Sequence, residues 1–334
     1  MFLAEQLRTS AHECGFPLVG FAPAEPLDPR PLLEWLEHGY NAGLAAMSKR
    51  VQERLDPKAI VPNAKTVMVL GIPYGPQDDP PHAPVVARYA RGRDYHYAHR
   101  DRMRALRHRL CAIDSSVRTY ACVDSGASME KAWAERSGLG FIGKNGLLIQ
   151  RAYGSWLTLS LMVLDRDVDH YDEPQPRLCG SCERCLKACP TSAFPSPGVL
   201  DANRCLSYHT VENHGPIPDE IRLHFGRHVF GCDACQEICP FNHLDIPPGD
   251  PRQAPRPLGR MDAATIAALS QADYDQLATG TPMRRIGYHG LRRNACLSLG
   301  STQNKGARPL LAQLVSDPNP SVAEAAGWAL NQIG

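Results

Sequence analysis

Hydrophobic positions change rhythm along the chain. In the first 165 residues they come as short, nearly unbroken runs: TVMVLGI at 66–72, TYACV at 119–123 and WLTLSLMVL at 156–164. These runs are β-branched, aromatic or apolar throughout, and predict strands buried on both faces. Between them the spacing turns helical, near 100–112 and 128–137, and Gly138-Leu139-Gly140 ends the second stretch. Leu3, Leu7, Ala11 and Cys14 share one face of an opening helix that Gly15 stops. Residues 165–177 are acidic and contain prolines, which predicts a linker. Pro247, Pro248, Pro251, Pro255 and Pro257 mark a second break. Beyond it, Leu291, Ala295, Leu297 and Leu299, then Leu310, Leu311 and Leu314, then Val322, Ala325, Ala326, Ala329 and Leu330 give three amphipathic segments. The Asp317-Pro318-Asn319-Pro320 turn before the last makes them similar to a short HEAT-like solenoid. The expected architecture is an α+β/α/β multidomain chain: an α/β unit over 1–170, a cysteine-rich unit over 171–250 and a helical repeat over 251–334.

Composition narrows the function classes. The chain has 334 residues, 43% of them apolar, and 36 Lys+Arg against 35 Asp+Glu. Such a balance excludes wholesale disorder and a uniformly basic nucleic-acid coat. No run of 18 apolar residues occurs, so no membrane span is expected. Glu5 interrupts the place where a secretory leader carries its apolar core, so a cytoplasmic protein is expected. The chain has 12 cysteines, eight of them between Cys179 and Cys239. In a cytoplasmic protein that clustering points to metal rather than disulfides.

Cys179, Cys182, Cys185 and Cys189-Pro190 form a complete C-x2-C-x2-C-x3-C-P run. Three thiolates at this spacing wrap one cuboidal cluster, and the fourth, thrown outward before proline, ligates another. Cys232, Cys235 and Cys239-Pro240 form a second run whose first position is Val229, and Cys205 is the unassigned cysteine nearby. Counting ligands gives one 4Fe–4S cluster on Cys179, Cys182, Cys185 and Cys239. A second falls to Cys232, Cys235, Cys205 and Cys189. Two four-cysteine zinc sites are the competing reading, which the Cys-Pro endings disfavour. Cys14, Cys111, Cys122 and Cys296 lie in apolar patterns and read as small core residues. Two such clusters beside an α/β unit imply one-electron chemistry. No dinucleotide fingerprint follows a predicted strand, and residues 138–143 follow a helix instead.

Four motifs precede this module in order: Tyr89-Ala90-Arg91-Gly92-Arg93-Asp94-Tyr95-His96, Val123-Asp124-Ser125-Gly126, Ala132-Trp133-Ala134-Glu135-Arg136-Ser137-Gly138-Leu139-Gly140 and Gly143-Lys144-Asn145. With the double-cluster run and the helical tail, the chain resembles the epoxyqueuosine reductase family over essentially its whole length. The resemblance implies a cobalamin lying between the α/β unit and a ferredoxin-like module and taking electrons from the nearer cluster. It implies reduction of epoxyqueuosine to queuosine at the tRNA wobble position, the last step in making queuosine. Two positions depart from the usual pattern: Ser125-Gly126-Ala127 where Thr-Gly-Pro is common, and Gly146 where Thr or Cys is common. Neither removes an ionisable group.

Asp124 ends a predicted strand just before a turn. Its residues alone leave two readings open, an acid that protonates the epoxide oxygen and an Asx-turn with Gly126. The resemblance favours the acid, and places Asp94 and His96 on the substrate side of the corrin. It also implies corrin contacts at Arg54, Ala87, Asp124, Leu148, Leu159 and Ser207, with Lys144 and Asn145 in a loop at the cofactor. The D-x-H-x-x-G signature is missing, because Asp94-Tyr95-His96 lacks the glycine. Cobalamin is therefore expected base-off, without a protein histidine on cobalt.

For the RNA, Arg284, Arg285, Arg292 and Arg293 are the expected phosphate contacts on the anticodon stem. Eight arginines between 88 and 109 are the alternative patch, and the modified base would be extruded into a pocket. The other partners expected are an electron donor of reductase, flavodoxin or ferredoxin type, with the chain a monomer. Two rival functions share the cysteine logic: a cobalamin-dependent reductive dehalogenase, which has no use for a basic solenoid, and a non-enzymatic electron-transfer or zinc-scaffold protein.

Overall fold

A computed structural model of the chain describes residues 1–75, 85–243, 249–251 and 254–334. The strands are β1 (Leu18–Pro23), β2 (Thr66–Pro73), β3 (Val85–Val86), β4 (Thr119–Cys122), β5 (Phe141–Ile142), β6 (Leu148–Ile149), β7 (Leu157–Leu164) and β8 (His228–Phe230). Four of them make one sheet in the order β1-β2-β7-β4, and every neighbouring pair is antiparallel. All eight residues of β2 are buried, because both faces are covered. Helices Ala4–Glu13 and Tyr95–Ile113 cover one face, bringing Leu7, Ala11, Met103, Leu106 and Leu110 onto Met68, Leu70 and Met162. On the other face Trp133 and Ala134 of helix Glu130–Arg136 meet Val67, Val69 and Leu161. The continuous apolar runs thus record two-sided burial in an antiparallel sheet, an arrangement more usual in parallel ones.

Strand β1 has no counterpart among the predicted strands, since its short run carries Gly20 and ends at Pro23. Gly20 is required there: a Cβ would lie 2.4 Å from the Ser137 carbonyl oxygen. Edge strand β4 is only partly buried, unlike its prediction. The acidic stretch expected to be a linker is fastened down. Asp172 accepts from the Phe21 N–H at 2.8 Å and pairs with Arg8 at 3.0 Å.

The C-terminal segments form helices Gly287–Ser301, Arg308–Leu314 and Pro320–Ile333. Asn319 caps the last, accepting from the Ser321 N–H at 3.1 Å, with Pro320 at its first position. These helices share one core with the cysteine-rich region: Leu206, Phe225 and Phe230 pack with Leu258, Tyr274, Leu291, Leu297, Leu311 and Ala325. A boundary at 250/251 therefore divides the sequence but not the core, and the breaking prolines Pro247 and Pro248 lie outside the described residues. Of the four remaining cysteines, Cys122 and Cys296 are buried, while Cys14 and Cys111 are half-buried against the sheet core.

The two bodies are joined by polar contacts that fix their relation. Strand β3 pairs in parallel with β8. Gln236 donates to the Ser155 carbonyl at 3.0 Å and to the Tyr74 hydroxyl at 3.2 Å, and Asn242 accepts from the Ser155 N–H at 2.7 Å. Among the described residues no helix is long and apolar enough to cross a membrane.

Candidate functional site

Chain folding brings the eight clustered cysteines into two groups. Cys179, Cys182, Cys185 and Cys239 line one cavity of about 280 Å³, with Lys144, Arg184, Leu178 and Phe241 around it. Cys232 and Cys235 lie within electrostatic reach of Cys205 and Cys189. In each group the last cysteine of one run meets the early cysteines of the other. Burial pushes the Cys232 thiol up to about 12 and also raises Cys205 and Cys235. Among the described residues no three His, Cys, Asp or Glu side chains converge closely enough to hold a single ion. Four soft thiols ringing a cavity suit a cuboidal cluster in donor chemistry and in room.

Near the second group, where Lys131 lies within electrostatic reach of both Asp124 and Cys235, residues from three distant parts of the chain meet. Asp124 follows the end of β4 with a left-handed backbone, φ +50°. Its carboxylate lies 3.3 Å from Arg285 Nη1 and 3.6 Å from His96 Nε2. Asp94 caps helix Tyr95–Ile113, accepting from the His96 N–H at 2.9 Å and contacting His96 Nδ1 at 2.7 Å. His96 is thus held between two carboxylates. The Asp124 side chain is 47% exposed, so the pair opens to whatever enters the cleft. Among the described residues it makes no hydrogen bond to the Gly126 N–H, and the turn is closed by Ser125 N–H donating to Val123 O. The Asx-turn is absent.

Arg54, expected as a cofactor contact, is buried and braces this loop from behind. It donates to the carbonyls of Gly126, Ser128, Ala46 and Lys49. Gly126 permits the close packing, because a Cβ there would lie 2.5 Å from that of Cys122. Asn145 is buried and donates to the Cys235 carbonyl at 3.4 Å, while Lys144 borders the other cysteine cavity. Ala87 and Leu148 are buried, and Leu159 in β7 and Ser207 in helix Leu206–Val211 are half-buried.

The arginine expectations divide. Arg284 and Arg285 are exposed, but Arg285 is not remote from the proposed chemistry: it links Asp124 to Glu212, whose Oε1 is 2.5 Å from its Nε. Arg292 and Arg293, expected as phosphate contacts, are buried instead. They are 7% and 4% exposed, on the inner face of helix Gly287–Ser301. Arg292 pairs with Asp317 at 2.8 Å, and Arg293 donates to the carbonyls of Gly215, His209 and Asn213. Neither is placed to meet a phosphate. The 88–109 patch is similarly committed in part, Arg91 and Arg102 being buried and Arg109 paired with Glu13.

Three groups of the cleft were not singled out as site residues. Tyr89 and Tyr95 meet edge to face, centroids 6.1 Å apart. Burial first, and then the Asp124 charge, pushes the Tyr95 phenol well above its ordinary range. Burial likewise pushes the Glu130 carboxyl up to about 7, with Asp124 adding to the effect, and one of its oxygens is buried without a hydrogen-bond partner. Both tyrosines lie in the 89–96 motif, whereas Glu130 carries no sequence signal beyond its distance of six residues from Asp124.

Comparison with known proteins gives three family models. Residues 178–242 match "4Fe-4S double cluster binding domain", 54–125 match "Epoxyqueuosine reductase QueG, DUF1730", and 289–334 match "HEAT repeats". An epoxyqueuosine reductase of Gloeobacter violaceus is 38% identical over 313 residues, covering 90% of this chain and 96% of its own. The structure superposes on an epoxyqueuosine reductase solved with an epoxyqueuosine-modified tRNA-Tyr stem loop at a TM-score of 0.92, with 31% identity and 99% and 90% of the two chains covered. It also superposes on the Bacillus subtilis epoxyqueuosine reductase whose catalytic aspartate loop is swung out of the active site, at TM-score 0.92 and 30% identity over the same shares. With these relatives spanning nearly its whole length, the chain belongs to the epoxyqueuosine reductase family.

Proposed function

We propose that this chain reduces the epoxide of epoxyqueuosine in tRNA to the alkene of queuosine, with Asp124 delivering the proton to the epoxide oxygen. The observation that carries this reading is the meeting of Asp124, His96 and Arg285 near the Cys205 group, with Lys131 within electrostatic reach of both Asp124 and Cys235. Removing the oxygen as water consumes two electrons and two protons; the cysteine-held clusters suit the electrons, and a carboxyl held beside His96 suits a proton.

The same cleft suits cobalamin. Tyr89 and Tyr95 offer flat apolar walls, and the unpartnered Glu130 oxygen can accept from an amide of the kind that fringes a corrin. Asn145 and Ser207, with Ala87, Leu148, Leu159 and the loop braced by Arg54, would hold it, whereas Lys144 lines the other cysteine cavity. When bound, it supplies one-electron reducing power at the epoxide carbon. His96 faces carboxylates through both ring nitrogens, so its role here is to orient Asp124 rather than to ligate cobalt.

Arg285 sits on the carboxylate that must acquire a proton. An incoming phosphate of the anticodon stem competes for that guanidinium, and so frees Asp124 as substrate arrives. Exposed Arg284 beside it offers a second phosphate contact.

Asp124→Asn keeps size and polarity but cannot donate the proton. Iron and cobalamin content should be unchanged while conversion, followed by mass spectrometry of tRNA nucleosides, falls at least about a hundredfold. Near-normal turnover would move the acid to Tyr95 or His96.

A further inference from the structure

The two cysteine groups differ in what surrounds them, and the difference shows where electrons enter. The Cys205 group lies under the cleft, next to Asn145 and Asp233. The Cys179 group borders a cavity whose rim reaches the outer surface. Leu178, 41% exposed, lines it immediately before Cys179, and Ile238, 40% exposed, stands in the chain immediately before Cys239, which also lines it. Two cations line the same cavity, Arg184 and Lys144, and neither is paired with a carboxylate among the described residues. Arg177 and Lys187 stand outside them, each matched by a carboxylate: Arg177 by Glu135 at 2.9 Å and Lys187 by Glu183 at 3.4 Å.

We propose that this rim is the docking surface for an acidic one-electron carrier protein, with Arg184 as its steering cation and Leu178 and Ile238 as the apolar centre. The proposal deepens the proposed function by naming the class of donor, and it depends on the clusters rather than on the epoxide. Exposed apolar side chains beside unpaired cations suit a small, short-lived contact, in which charge guides encounter and little area is buried. A carrier with carboxylates around an edge-exposed redox group complements both features. The outer cluster is then reduced first and passes the electron inward to the cluster under the cleft; one electron leaves the carrier for each one that arrives, and no proton need cross the interface.

The test uses the cluster-loaded full chain and a purified acidic flavodoxin, with cluster bleaching followed in stopped flow and the affinity for oxidised flavodoxin measured by calorimetry. Wild-type reduction should slow steeply as salt rises past the range where surface charges are screened. Arg184→Glu should cut the second-order rate at low salt at least about tenfold, weaken binding in parallel and flatten the salt dependence. Arg184→Gln should give a smaller loss of the same kind. Photoreduced 5-deazariboflavin, a small neutral reductant, should reduce wild type and both variants equally, with equal iron content. Unchanged flavodoxin rates and affinities overturn the proposal. So does an equal loss with the neutral reductant, which would mean that the cluster itself had changed. Weakened tRNA binding with intact flavodoxin reduction would assign the rim to RNA instead. None of these readings requires turnover of epoxyqueuosine, so failure of the proposed function would not imitate failure here.

Discussion

The cysteine module and the Asp124 cleft are assembled by opposite means. Seven of the eight clustered cysteines lie in two short runs, 179–189 and 232–239, so most of the ligand geometry is written in local spacing. The cleft takes Asp124 from the end of one strand, His96 from the first turn of a helix, and Arg285 from 161 residues further along the chain. Metal ligation tolerates few spacings, because thiolates must reach a small rigid object. A proton-donating carboxyl needs only to be delivered by the fold, and the fold can deliver it from anywhere.

The largest effect expected tests the local half of this contrast. Each run's last cysteine lies with the other run's group, so Cys239→Ala should strip the cluster held by Cys179, Cys182 and Cys185. Cys189→Ala should strip the one held by Cys205, Cys232 and Cys235. Iron analysis and EPR of singly reduced protein would show one cluster remaining in each variant. Loss confined to the mutated run's own neighbours would mean that the ligands are not crossed.

The arginines of the solenoid sharpen the other half. In sequence Arg285 and Arg292 look alike, but helix Gly287–Ser301 turns the second inward. It pairs with Asp317 where both side chains are 8% exposed. Removing one partner of such a pair leaves a buried charge, so Arg292→Ala should cost about 3–5 kcal/mol in denaturant unfolding. The salt dependence of tRNA binding should be unaltered. A variant as stable as wild type, but with a flatter salt slope, would restore the surface reading.

The helix itself was legible, since Leu291, Ala295 and Leu299 mark its buried face. What periodicity could not show is that the face is wide enough to take Arg292, Arg293 and Asn294 as well, each satisfied by carbonyls or a carboxylate from outside the helix. A buried arginine looks like a surface one until its acceptors are known. Strand β2 was legible for the reverse reason, because nothing polar interrupts it. Its antiparallel pairing was not, since two-sided burial leaves the same apolar run in either direction.

A smaller effect belongs to Arg285, which joins the two halves. Arg285→Gln removes the ion pairs to Asp124 and Glu212 but retains a polar side chain. At subsaturating tRNA, kcat/KM should fall about tenfold, the scale of one charge-assisted phosphate contact, while kcat at saturating tRNA holds, and the salt slope of binding should drop by about one phosphate. A fall in kcat with an unchanged salt slope would mean that Arg285 holds Asp124 in place rather than meeting a phosphate.

The smallest effect separates two histidines on the same helix. His96 faces the cleft, whereas His99, one turn later, is fully buried, with its ring nitrogens 2.8 Å from Ser160 Oγ and 2.9 Å from Thr158 Oγ1. Burial holds His99 down at about 3, so it remains neutral in the fold while an unfolded histidine protonates near 6.5. Its contribution is complete above pH 6.5 and is lost as pH falls from there toward 3. By pH 5.5 the loss is about 1.4 kcal/mol. His209 and His228, also lowered by burial, act in the same direction, and the raised carboxyls of Glu130 and Asp233 act in the opposite one. All four remain in His99→Gln, so subtracting its stability curve from that of wild type isolates His99. Thermal midpoints at pH 5.5 and 7.5 should fall less for the variant than for wild type. Parallel curves would mean that His99 takes up its proton without opening the sheet, and that Thr158 and Ser160 can turn to accept from both ring nitrogens.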